Sequence, residues 1–229
     1  MSMLNESAIL FLNYSEFLKT MCLSKIMDDF FSDSQNGSSH ESNKWSEKAW
    51  LDYVKRSDTK IAHIAGIYEK YRTDNFSLDD FAVSIGWPGI LDAESPDTEI
   101  FMPENDFSQD PITLVNHPIY IVSSAILMAL EKHLEKLIKA ANADPAQVWD
   151  LAKQIHKAST LILMAVNSTD LSEDMLAHSI YKSAVSVLNS ILAKIENLQP
   201  VEESRAIYMV KAKAIFAIFD LRQICLNLS

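Results

Sequence analysis

This sequence predicts an all-α fold: a C-terminal antiparallel four-helix bundle, extended by two or three N-terminal helices. Three observations predict it. Glycine is scarce, with four in 229 residues against an average near 7%, and sheet-rich folds need glycine at hairpins and bulges. Apolar residues recur at helical spacing over most of the chain. In the C-terminal half, only a few residues with cap-like chemistry separate successive apolar stretches, and connections that short force neighbouring helices antiparallel.

Taken in order, residues 5–31 read as a first helix, with Leu10, Tyr14, Phe17 and Met21 on one stripe. Residues 32–43 (SDSQNGSSHESN) contain no aliphatic side chain and read as a flexible linker. Residues 45–86 form a helical region. Its main helix, about 45–72, carries the stripe Trp50, Val54, Ile61, Ile64, Tyr68 and Tyr71. A short helix over 78–85 follows, with Ser77 as its cap and Gly86 and Pro88 ending it. Residues 87–115 contain Pro88, Pro96, Pro103 and Pro111 and show no strand-like alternation, so they read as an irregular acidic loop. Loops this long usually serve a function or are disordered.

The bundle is placed at 116–227. Its first helix starts at Pro118 with Asn116 as cap, is apolar nearly all round from Ile119 to Leu130, and turns amphipathic at Glu131, Lys132, Glu135, Lys136 and Lys139. The second opens with Asp144, Pro145 and Gln147, a cap, a first-turn proline and a capping-box residue. The third opens at Asp170–Glu173 and carries a seam of Ala177, Tyr181, Ala184, Leu188, Ile191, Ile195 and Leu198. The fourth opens at Pro200 and runs to about Leu226. The whole chain reads as a single domain.

Composition narrows the function. Cys22 and Cys225 both lie in apolar helical stretches and read as buried thiols, since a disulfide framework needs more cysteines in a shorter secreted chain. The apolar run at 8–12 follows Glu6 without a basic residue, unlike a signal peptide. The most apolar stretch, 118–130, is too short to span a bilayer. The expected location is cytoplasmic, with no membrane partner. No phosphate-cradling glycine loop, G-x-S-x-G, C-x-x-C, H-E-x-x-H or di-iron Glu-x-x-His pattern occurs. No cofactor or metal is therefore expected, and no catalytic residue is assigned.

The net charge of −11 is unevenly placed. Between Arg72 and Lys132 there are eleven acidic residues and no lysine or arginine, while the rest of the chain balances. Phe76, Phe81, Trp87, Ile90, Leu91, Ile100, Phe101, Met102 and Phe107 are interleaved with those acids, which a merely solvating acidic tail would lack. This pattern predicts an acidic surface over 73–110 that steers a basic protein partner and repels nucleic acid. Its expected contact residues are Asp92, Glu94, Asp97, Glu99, Phe101, Glu104, Asp106 and Phe107. The leading expectation is a non-enzymatic interaction module.

The alternative is a small-molecule or enzymatic pocket between the bundle helices, lined by Tyr120, His133, Tyr181, Arg205 and Tyr208. A more remote alternative rests on Arg56 and His63, whose spacing resembles the R-x(4–6)-H pattern of HEPN ribonucleases. That resemblance covers two residues. It implies RNA cleavage at a dimer interface, against which the low positive charge counts. The tyrosine- and tryptophan-rich second helix offers a face that a homodimer could bury.

Overall fold

The structure, a computed structural model, describes residues 46–73, 77–86, 117–201 and 204–229. Among them are six helices and no strand: α1 (Glu47–Thr73), α2 (Leu78–Ser84), α3 (Pro118–Ala141), α4 (Pro145–Asp170), α5 (Asp174–Asn197) and α6 (Arg205–Asn227). The expected helix at 5–31, the linker at 32–43 and the loop at 87–115 lie outside the described residues.

α3 to α6 form the antiparallel four-helix bundle. α4 packs most extensively on α5 and α3 on α6, and α5 with α6 and α3 with α4 close the ring. α1 lies on the outer side of α3. α3 is thus enclosed by α1, α4 and α6, which explains its nearly uniform apolar first half: Ile121, Val122, Ala125, Ile126, Ala129 and Leu130 are all buried. The α5 seam is buried as expected from Ala177 through Ile195, and Leu198 is half-buried.

Two short connections turn the chain without glycine. At the end of α3, Asn142 is left-handed (φ 47°, ψ 46°), and the amides of Asn142 and Ala143 donate back to the carbonyls of Lys139 and Ile138. At the end of α4, Ser172 has φ 60° and the amides of Ser172 and Glu173 donate to Thr169 and Ser168. Both are Schellman closures, in which glycine is usual and asparagine less common.

Several helix starts differ from expectation. α3 is capped by the backbone of His117, which makes no side-chain cap bond. Asp144 is the N-cap of α4 with Pro145 behind it, yet its side chain makes no cap bond, so the capping box does not form. α5 begins at Asp174, because Asp170 is still the last residue of α4 and the turn occupies 171–173. α6 begins at Arg205 and not at Pro200. The Val201 amide is tied to the Ala140 carbonyl at 3.0 Å, and Ser204 caps the helix by accepting from Ile207. By contrast, Ser77 caps α2 in a full capping box with Asp80.

Candidate functional site

The charged side chains that the fold gathers in its interior lie where α1 crosses α3 and α6. Tyr68, Glu69 and Arg72 stand close together on the last turns of α1, so they fan across one face toward both bundle helices. On α6, Asp220 is 2% exposed and is that helix's only acidic residue. Arg72 grips it with two bonds: Nε donates to Oδ2 at 2.8 Å and Nη2 donates to Oδ1. The Tyr68 hydroxyl donates to the same Oδ2 at 2.5 Å. Burial pushes the Asp220 carboxyl above the usual carboxylate range, and the Arg72 and Tyr68 bonds pull it back only in part. Burial also raises the Tyr68 phenol, aided by the Asp220 charge, so the hydroxyl keeps its proton and remains a donor.

One step along α1, Glu69 faces α3. Its Oε1 lies 3.0 Å from His133 Nε2, with the Lys132 and Lys213 ammonium groups each 3.9 Å from one of its oxygens. Burial works to raise the Glu69 carboxyl, but the His133 bond and the basic groups of His133, Lys132 and Lys213 outweigh it and hold it below the usual range. Phe81 of α2 packs edge-on against Tyr68 and Tyr71, at centroid distances of 5.3 and 6.3 Å. The cluster thereby fixes α1 and α2 on the bundle. The turn after α2 ends at Gly86, the last described residue before 87–115.

Chemically the cluster is a clamp. Both Asp220 oxygens are taken, Tyr68 is held as a donor, and Glu69 is offset by its basic neighbours. Among the described residues, no three His, Cys, Asp or Glu side chains come together as metal ligands. No described helix is long and apolar enough to cross a membrane.

The expected pocket residues do not converge. Tyr120 is half-buried at the start of α3. Tyr181 is buried in α5. Arg205 and Tyr208 are exposed at the start of α6, at the end of the bundle where Val201 bonds to Ala140. Tyr120 and Arg205 are thus separated by most of the length of α3, roughly 30 Å. His133 is buried, but it turns to Glu69 of α1 and not into the bundle. Arg56 and His63 are both exposed on α1, where i,i+7 spacing puts them on one side two turns apart. The eight expected partner-contact residues, Asp92 through Phe107, lie outside the described residues.

Of the clamp, sequence reading picks out only His133 as a polar site residue. Tyr68 enters it only as part of an apolar stripe, and neither Arg72 nor Asp220 enters it as a site residue. The available signal is a lone aspartate on an otherwise basic and apolar helix. Comparison with protein families, with curated proteins and with solved structures finds no match for this chain.

Proposed function

We propose that the protein is a non-enzymatic interaction module of the reducing cytoplasm, in which the helical body holds the acidic, aromatic-studded segment 73–110 toward a basic protein partner. The observation that carries this reading is where the uncompensated charge falls. Four acids of the helices are matched within the body: Asp220 with Arg72, Asp150 with Lys194 at 2.5 Å, Glu135 with Lys139 at 2.6 Å, and Glu69 with its ring of bases. Asp80 is committed to the α2 capping box. Asp92, Glu94, Asp97, Glu99, Glu104, Asp106 and Asp110 have no lysine or arginine near them in sequence. An unbalanced patch of this kind raises association rates with a cationic partner by tenfold or more, about 10–10³, and loses that advantage in salt. The thiol that the structure describes fits a reducing compartment: Cys225 is buried and unbonded, and burial alone pushes it up to about 12.

The test is affinity capture from native lysate at low and high salt, followed by association kinetics with the captured partner. Neutralising Asp92, Glu94, Asp97 and Glu99 together to their amides should cut the low-salt association rate about tenfold and leave the thermal unfolding curve in place. Equal rates for the two proteins at low salt would refute the reading.

A further inference from the structure

The outer face of α6 carries a feature of opposite sign. Met209, Ala212, Phe216, Phe219, Gln223 and Leu226 recur at alternating intervals of three and four, the spacing of a coiled-coil seam. This line points away from the core residues Ala214, Ala217, Ile218, Leu221 and Cys225. Phe216 and Phe219 are 44% and 45% exposed, and Met209 and Leu226 more so. The line spans roughly 26 Å, and such an array of large exposed side chains marks an interaction surface.

Charge selects the occupant. Of the basic residues on α6, Lys213 turns to Glu69 and Lys211 donates to the carbonyls of Glu196 and Leu198, which leaves Arg205 and Arg222 to this face, while the helix's one acid, Asp220, is buried and held by Arg72. Each exposed phenylalanine lies under a guanidinium: Arg72 is 5.4 Å from the Phe216 ring and Arg222 is 5.2 Å from the Phe219 ring. Arg222 forms no ion pair among the described residues, and its Nε is buried without a hydrogen-bond acceptor. A second copy of this face would bring the same arginines and no exposed acid, so it offers them no counter-charge.

We infer that the outer face of α6 docks an acidic amphipathic helix of another protein. Its apolar residues would seat between Met209 and Leu226, and its flanking carboxylates would meet Arg222 and Arg205. The inference rests on α6 alone and stands or falls without the reading of the acidic segment.

The test uses the full chain and two fluorescent synthetic helices of the same apolar heptad pattern, one flanked by glutamates and one by lysines. The glutamate helix should bind saturably and the lysine helix should not. Phe216→Ala with Phe219→Ala should weaken binding by at least about tenfold, and Arg222→Glu should reverse the preference between the two helices. The phenylalanines are exposed and Arg222 is half-buried, and unchanged circular dichroism melts establish that the variants fold. Indifference to helix charge, or no saturable binding up to about 1 mM, overturns the inference. So does a Phe219→Cys variant that oxidises to a disulfide-linked dimer through the introduced thiol, or to an internal bridge with the native Cys22. Either product assigns the face to this chain itself.

Discussion

At the scale of single residues, the two described glycines, Gly66 and Gly86, answer different needs. Gly86 has φ 64° at the end of α2, a left-handed conformation that a side chain resists. Gly66 has no such need: it sits inside α1, exposed, with nothing within 4 Å of a Cβ placed there. Glycine in a helix interior costs about 0.5–1 kcal/mol relative to alanine. Gly66→Ala should therefore stabilise the protein by that amount, seen as a small rise in the thermal midpoint. A fall would mean that α1 meets a partner at this position. Asn142 and Ser172 illustrate the limit of residue-level reading. Composition implies that turns are few and short, yet which non-glycine residues take the left-handed position depends on where each helix ends.

At the scale of elements, the clamp decides how α1 sits. Its apolar stripe explains that it packs, through Ile61, Ile64, Ala65 and Tyr68, but a smooth stripe leaves register loosely specified. Arg72 and Asp220 supply a fixed point, since neither charge is comfortable at this depth without the other. Removing one partner of a buried pair costs about 3–5 kcal/mol, whereas replacing both with apolar residues of similar size is often neutral. Asp220→Ala should destabilise by about that much, with α1 amides exchanging hydrogen ahead of those in α3 to α6. Arg72→Met and Tyr68→Phe combined with Asp220→Leu should recover most of the loss in chemical denaturation, since Tyr68 also loses its acceptor when Asp220 is removed. If the triple variant is no better than the single, the cluster does more than satisfy its own polar groups.

At the scale of the whole molecule, stability should depend on pH in a definite direction. Burial holds the His156 imidazole below the usual histidine range, against a smaller upward pull from Glu131. The unfolded chain therefore takes up a proton near pH 6.5, to within about a unit, before the folded one does. The stabilisation from neutral His156 is complete above that value and is lost as pH falls from there through the folded value. The depressed Glu69 carboxyl adds a second loss at lower pH, beginning near its unfolded value of about 4.3. Asp220 has the opposite sign, since acid relieves its buried charge. The thermal midpoint should fall between about pH 7 and pH 5.5, and His156→Gln should flatten that interval. An unchanged slope would place the titrating group elsewhere.

Hydropathy period and connection length alone determined the helix count in the C-terminal half, the antiparallel bundle and the α5 seam. These features rest on local chemistry, because an apolar stripe must be buried whatever covers it. The concentration of negative charge in 73–110 is likewise a property of the sequence. Only tertiary structure decided that His133 faces α1, that Asp220 and Arg72 meet across 148 residues, and that the phenylalanines of α6 face outward. A helix flanked on several sides, such as α3, hides from its sequence which neighbour each side chain meets. The pairing of distant charges follows from how the helices cross, and spacing along the chain does not encode that.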